Sequence, residues 1–318
     1  MNSYRNGKNV HCVNIEAGYR DSGSDIAYVL RHRCNIQVIT PAVAPNPQSD
    51  EGWCFPDNEH GILDAVERGA THLWANTILF ANHPLQTSSK LTLQEKKVHV
   101  VGQPPLLVEI YDDKDLVNTW LRKHKGLTVP RFFSLNELND LEPALTKNKM
   151  QLPLVGKPVR GRGSHGVKAC FTFSELAKHV HRLLGESPTC MVEEFLAGQE
   201  ITITVMPPSP DCPKHWALPI VTRFNHERGI APYNGLVAVT RNSKVISSEE
   251  YESDPLYSKA VRECENVAKL LNCTAPIRID MRRLVDKIDS PFAIFDVNMK
   301  PVSTNLKEAE NTSAYNSP

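Results

Sequence analysis

The stretch Gly156-Lys157-Pro158-Val159-Arg160-Gly161-Arg162-Gly163-Ser164-His165-Gly166-Val167 decides the fold. Glycines let backbone N–H groups converge on an anion, and Lys157 adds a point charge. Gly161, Gly163 and Gly166 satisfy G-x-G-x-x-G, but a dinucleotide fingerprint runs strand, loop, helix. Here Val167, Ala169, Phe171 and Phe173 alternate with Lys168, Cys170 and Thr172, which reads as a strand. The loop therefore joins two strands, as a flap over phosphates would. A protein-kinase loop also joins two strands, but its lysine follows the loop. Lys157 precedes this one, and no H-R-D or D-F-G follows. Taken by itself, a glycine-rich surface hairpin is the competing reading.

Three further signals lie downstream. In Arg278-Ile279-Asp280, strand alternation turns Ile277, Ile279 and Met281 to the core and Arg278 and Asp280 to the other face. In Phe295-Asp296-Val297-Asn298, Asp296 and Asn298 share a face, with Val297 opposite. Two carboxylates and an amide oxygen from neighbouring strands make an oxygen-only site, which suits Mg²⁺ completed by substrate phosphates. Solvated polar residues at strand ends are the bland alternative, and the lysine-and-glycine loop counts against it. The run Val192-Glu193-Glu194-Phe195-Leu196-Ala197-Gly198-Gln199-Glu200 offers a strand end, a turn and a second carboxylate, suited to a purine and its ribose. Alone it is an acidic hairpin.

Outward from these motifs the chain is ordinary. It has 318 residues, 41% hydrophobic and 23% charged, with Lys+Arg 36 against Asp+Glu 36. That length predicts about two domains at roughly 150 residues each. Zero net charge argues against a general nucleic-acid binder, leaving room for a local basic groove. No apolar run reaches about 18 residues, so no membrane span is expected. Met1–Lys8 is polar, which argues against a signal peptide, and a cytoplasmic location follows. Eight cysteines without a C-x-x-C pair read as buried or free thiols in a reducing compartment.

The first hundred residues alternate short strands (Val10–Ile15, Ile36–Thr40, His72–Phe80, Val98–Val101) with helices (Asp25–Arg31, Gly61–Arg68). That pattern predicts a parallel sheet covered on both faces. Asp113–His124 reads as a helix. Strands then dominate, at Leu154–Val159, Val167–Phe173, Cys190–Phe195, Glu200–Met206 and Leu218–Arg223. Leu176, Val180, Leu183 and Leu184 mark a helix over Ser174–Leu184, capped by Ser174 and closed by Gly185. Asp254-Pro255 opens a longer helix, followed by strands Ile277–Leu284 and Phe292–Asn298. Val302–Pro318 is polar and without periodicity.

The ordered set resembles the ATP-grasp superfamily, and most closely the D-alanine–D-alanine ligase-like carboxylate–amine ligases. The order carries the resemblance: a lysine at a helix start, a lysine with a glycine loop, E-x-x-L-x-G-x-E, R-x-D, then [DE]-x-N. It implies an ATP-grasp fold, mixing α/β and α+β, behind an N-terminal Rossmann-like parallel-sheet domain. The implied division is 1–110 N-terminal domain, 111–189 small lobe with the glycine loop, and 190–318 large lobe with the Mg²⁺ site. The implied cofactors are ATP and two Mg²⁺ ions, with Mn²⁺ as a substitute. Carried over residue by residue, Lys114 and Lys157 would hold phosphates under a loop containing Gly163, Ser164, His165 and Gly166. Glu193, Glu194, Phe195 and Leu196 would line the adenine, and Glu200 would take the ribose hydroxyls. Asp280, Asp296 and Asn298 would bind the metal, and Arg278 would stabilise developing charge. Ser164, His83, Tyr233 and Glu16 stand where the resemblance places substrate-side or loop residues. A surface histidine, a solvated glutamate and a packing tyrosine are the competing readings of His83, Glu16 and Tyr233.

The implied activity activates an amino-acid-like carboxylate as an acyl-phosphate and joins it to an amine. Small molecules would be the partners, with neither nucleic acid nor membrane, and a homodimer is compatible. A nucleotide-binding homologue without ligase activity and a phosphotransferase are the alternatives. Glu194 stands where bacterial ligases often carry lysine, and Asp296 replaces the more usual glutamate. Met299-Lys300-Pro301 and the polar tail depart from the family's carboxylate pocket and terminal helix, so that end reads as truncated or divergent.

Overall fold

The computed structural model describes residues 15–94, 97–161, 163–231 and 242–300, without the side chains of 15–19 and 21. These divide into two compact units, one ending at Thr71 and the other beginning at His72. The first unit holds α1 (Ile15–His32) and α2 (Glu59–Glu67). Asn58 caps α2 by accepting from Gly61 N at 2.9 Å, and Gly69 ends it at φ +96°. Ile36–Thr40, expected as a strand, is extended but joins no ladder among the described residues. The Arg31 guanidinium donates to Val38 O at 2.6 Å and to Thr40 Oγ1 at 3.0 Å, giving Val38 O a donor of the kind a neighbouring strand would supply. The expected strand Val10–Ile15 lies outside the described residues except for Ile15, which starts α1.

The second unit opens with β1 (His72–Trp74) and β2 (His99–Val101), a parallel pair. The parallel sheet expected from the sequence thus amounts, among the described residues, to two strands of three residues each. Between and after them come α3 (Pro84–Thr87), α4 (Ser89–Thr92), α5 (Pro105–Tyr111) and α6 (Lys114–Arg122). A four-stranded antiparallel sheet follows, in the order β3 (Phe132–Leu135), β6 (Cys190–Glu194), β4 (Leu154–Pro158), β5 (Lys168–Cys170). Against it pack α7 (Leu141–Asn148) and α8 (Phe173–Glu186), through a core that includes Leu141, Leu154, Leu176, Val180, Leu183 and Val192. The cap of α8 is Thr172, not Ser174; its side chain accepts from Glu175 N at 3.2 Å. The first turn starts two residues early, with Phe171 N meeting the Glu175 carboxylate at 2.9 Å, and at its other end the helix runs through Gly185 to Glu186.

The second sheet is antiparallel. Its order is β10 (Ser243–Val245), β9 (Val221–Arg223), β7 (Glu200–Met206), β11 (Ile277–Arg283), β12 (Phe292–Asn298), with β8 (Trp216–Ala217) paired to β7. α9 (Ser248–Ser253) precedes α10 (Pro255–Leu270), which Asp254 caps by accepting from Leu256 N at 2.9 Å. Ala260, Cys264, Val267 and Ala268 of α10 bury the face formed by Ile201, Ile203, Val205, Ile277, Ile279 and Met281. The opposite face is left to polar side chains. All seven described cysteines are free thiols, and no described helix is long and apolar enough to cross a membrane.

Candidate active site

Strand register arranges the polar face in rows. Thr204, Arg278 and Asn298 lie across from one another, then Thr202, Asp280 and Asp296, then Glu200 beside Arg282. Strict alternation along β12 would put Ile294 on the same face as Asp296. The ladder avoids this by slipping between Asp280 and Met281, so that Met281 pairs with Ile294 and Phe295 has no partner on β11. Ile294 and Val297 both reach the core, and Asp296 and Asn298 face the site. This bulge has a second effect. The carbonyl of Phe295 is free to accept from Lys157 Nζ, at 3.0 Å.

Lys157, on β4, is 2% exposed and also meets Glu193 Oε1 of β6 at 2.7 Å. Lys114 opens α6 and lies 3.5 Å from Asp296 Oδ1. Arg278 holds Asp280 with two bonds, Nε to Oδ1 at 3.1 Å and Nη2 to Oδ2 at 2.9 Å. Thr202 donates to Asp280 Oδ1 at 2.8 Å, and Asn298 Nδ2 reaches Asp280 at 3.2 Å and Asp296 at 3.4 Å. Seven residues named from the sequence (Lys114, Lys157, Glu193, Arg278, Asp280, Asp296, Asn298) therefore form one connected charge set. Burial pushes the Asp280 carboxyl above its ordinary value, against Arg278. Burial also pushes Asp296 up, but Lys114, Lys157 and Arg278 outweigh it and hold that carboxyl below the ordinary range. Burial raises Glu193, with Lys157 opposing.

The glycine loop joins two antiparallel strands, β4 and β5, as its alternation predicts. Gly163 (φ +60°), Ser164 (+57°) and Gly166 (+71°) are left-handed. Such turns aim successive N–H groups into one concavity. The loop start is fixed by Lys114, whose N bonds Val159 O at 3.0 Å and whose Nζ bonds Gly161 O at 3.1 Å. His165 is exposed and lies 3.4 Å from Glu186.

In the Glu193–Glu200 segment the side chains divide. Glu193 Oε2 is buried without a partner among the described residues, whereas Glu194 turns to Arg131, whose Nε donates to it at 2.7 Å. Leu196 is buried. The Phe195 ring lies 5.3 Å from the Arg282 guanidinium. Glu200 receives His226 Nε2 at 2.8 Å and has Arg282 at 3.9 Å. Arg282, His226, Thr202 and Arg131 were not singled out from the sequence. Only Arg282 and Thr202 carried a signal there, as continuations of the alternation through Arg278, Asp280 and Glu200.

His83 is buried and caps α3, its Nδ1 accepting from Leu85 N at 3.1 Å, so its ring serves the local turn. Tyr233 and the side chain of Glu16 lie outside the described residues, as does the tail that departs from the family pattern.

A family model described as D-ala D-ala ligase C-terminus matches residues 121–309, more than half of the chain. The chain belongs to the D-Ala–D-Ala ligase family. The D-alanine–D-alanine ligase A of Bacillus cereus is 24% identical over 219 residues, covering 69% of this chain and 68% of that relative. The crystal structure of the Bacillus anthracis D-alanine–D-alanine ligase complexed with ATP matches with a TM-score of 0.54 at 20% identity, over 79% of this chain and 77% of that one. The N5-carboxyaminoimidazole synthetase of Staphylococcus aureus, complexed with ADP, matches at 0.56 and 15% identity, over 80% and 60%. Both share the ATP-grasp fold with this chain, and family membership places it among ATP-dependent C–N ligases.

The residues fit what such a ligase must hold. The orphaned Glu193 Oε2 is a buried acceptor in want of an N–H donor, as a base amino group supplies. Lys114 and Lys157 supply cations for phosphates. Asp296 meets its partners only at 3.4 and 3.5 Å, which leaves its oxygens open to a hard cation.

Proposed function

We propose that the chain is an ATP- and Mg²⁺-dependent ligase that activates an amino-acid-like carboxylate and joins it to an amine. The observation that carries the reading is the convergence of Lys114, Lys157, Arg278, Asp280, Asp296 and Asn298 beneath the glycine loop. Lys157 and Lys114 bind the phosphates, with left-handed Gly163, Ser164 and Gly166 aiming N–H groups at the same anion. Glu193 takes the base amino group, and Phe195 and Leu196 flank the base. Glu200 takes the ribose hydroxyls in competition with His226. Asp280, Asp296 and Asn298 hold Mg²⁺, which when bound neutralises phosphate charge and orients the transferred group. Arg278, anchored on Asp280, faces the charge that develops on the reacting carboxylate. The work of these side chains is positioning and charge neutralisation. The named relatives suggest D-alanine or a similar small D-amino acid as a substrate. We assign residues 1–110, 111–189 and 190–318 to the N-terminal domain, small lobe and large lobe.

The test is ADP release with MgATP over a panel of D- and L-amino acids, with products identified by mass. Amino-acid-dependent ADP with an amide product supports the reading. Nucleotide binding without turnover, or a phosphoester product, would replace it with a binding protein or a phosphotransferase.

A further inference from the structure

Beneath the glycine loop lies a histidine that plays no part in the site described above. His179, in the middle of α8, is 4% exposed and sits within the apolar stripe of Leu176, Val180 and Leu183. Its Nε2 lies 3.2 Å from Gly156 O and 2.9 Å from Gly166 O. These two carbonyls belong to the strand entering the loop and to the loop's last glycine. A carbonyl only accepts, so Nε2 must carry the proton and share it between them. Nδ1 is then the acceptor, and the Arg182 guanidinium, 3.4 Å away, is on the donor side. Burial lowers the ring's proton affinity, the two carbonyls oppose this, and Arg182 and Lys168 add to the lowering.

The backbone has made room for this ring. A Cβ on Gly156 would stand 2.7 Å from His179 Cδ2. A Cβ on Gly166 would meet Leu183 at 3.0 Å, and that residue is left-handed at φ +71°. Gly156 is therefore not a phosphate-contacting glycine but the one that admits the imidazole. The first residues of the loop have their own ties, from Lys114 to Val159 and Gly161 and from Arg160 Nη1 to Glu109 Oε1 at 3.1 Å. The β4–β5 ladder pairs Gly156 with Lys168, and among the described residues His179 is the side chain that hydrogen-bonds both Gly156 O and Gly166 O.

We infer that His179 is a positioning residue, a clasp that closes the base of the glycine loop by binding Gly156 O and Gly166 O with one N–H, and so sets where the loop amides meet the nucleotide phosphates. This rests on the proposed nucleotide site, and it deepens that reading by naming what holds the loop in register. The contribution acts through the loop. His179 touches neither phosphate nor metal ligand.

The test compares His179→Gln, which keeps an N–H donor at similar reach, with His179→Met, which keeps the volume and loses the donor. In the full-length, nucleotide-free chain, hydrogen exchange of the 160–167 amides is measured beside that of α8 and β4. Removal of a shared buried hydrogen bond should speed loop exchange about tenfold in the Met variant, leaving the α8 interior within about twofold of wild type. The Gln variant should return toward wild type. With MgATP, the Met variant should raise the KM for ATP about tenfold and change kcat less than about threefold, and the Gln variant should recover most of that loss. Unchanged loop exchange in the Met variant, or equal damage in both variants with faster exchange throughout α8, overturns the clasp. If wild type binds no nucleotide, the functional reading fails by itself, and the exchange comparison still decides the role of His179.

Discussion

At the scale of the residue, the buried pair Lys157–Glu193 makes the sharpest prediction. A buried ion pair is weak evidence for stability, but removing one partner leaves an uncompensated buried charge. Lys157→Met should therefore lower stability by about 3–5 kcal/mol and abolish nucleotide binding. Adding Glu193→Gln should restore most of the stability and none of the binding, because the double variant removes the stranded charge without returning the cation. Thermal melts with and without MgATP separate the two effects. Recovery of binding in the double variant would remove Lys157 from the phosphate site. Asp296→Asn addresses the metal. Neutralising this carboxylate takes a counter-charge from Lys114, Lys157 and Arg278, which outweigh its burial and hold it below its ordinary range, so the melting temperature without MgATP should fall by about 2–4 °C. Mg²⁺-dependent turnover should fall by about two orders of magnitude, read as ADP release across a Mg²⁺ titration.

At the scale of the element, the start of α10 depends on one residue with two duties. Asp254 caps the helix through Leu256 N and is the carboxylate partner of Arg283, itself 3% exposed. Loss of a cap alone costs about 1 kcal/mol. Asp254→Ala should cost several times that, about 4 kcal/mol, because Arg283 is left buried without a counter-charge, on neutral acceptors such as Ile288 O and Ser290 O. Asp254→Asn keeps the cap oxygen, so the Asn and Ala variants compared in urea melts should differ by about 1 kcal/mol from the cap alone. The helix was legible in the sequence because Asp-Pro at its start and the stripe Ala260, Cys264, Val267, Leu271 agree with each other. α8 was legible in its middle but not at its ends. Both Thr172 and Ser174 are capping residues, and the choice fell to Glu175, whose carboxylate reaches Phe171 N only if the helix starts early. Ile36–Thr40 is extended but joins no ladder among the described residues, since a β-branched run reports readiness for a strand and not the presence of a partner.

At the scale of the whole molecule, a ligand that binds only the folded chain must stabilise it by mass action. MgATP at a hundred times its Kd should add about 2.7 kcal/mol to unfolding, seen as a concentration-dependent rise in Tm. A Tm unmoved by MgATP would contradict the proposed site. Thiol accessibility gives an independent check of the two antiparallel cores. Cys34 is exposed, whereas burial pushes the Cys190 thiol up to about 11 and that of Cys273 to about 12. A raised thiol stays protonated and unreactive until pH approaches its displaced value. At pH 8.5 a thiol reagent should label Cys34 in minutes and spare Cys190 and Cys273 until denaturant is added, with labelled peptides read by mass. The order of motifs made the nucleotide-clamping part of the chain legible, because each motif sits on a strand whose alternation fixes its face. Partners contributed by register across strands, such as Arg282 beside Glu200, were not, since one strand read alone does not say what lies opposite. The unpaired Phe295 shows what such register is worth. That single extra residue lets Ile294 face inward and Asp296 outward although they lie two positions apart, and it leaves one carbonyl outside the ladder for Lys157. Deleting Phe295 would complete the ladder and improve the sheet as a sheet. Ile294 and Asp296 would become neighbours and keep their opposite faces, so the core and the carboxylates would hold their places, but Lys157 would lose an oxygen. The flaw in the pairing is what gives a buried lysine a main-chain oxygen in the middle of a sheet.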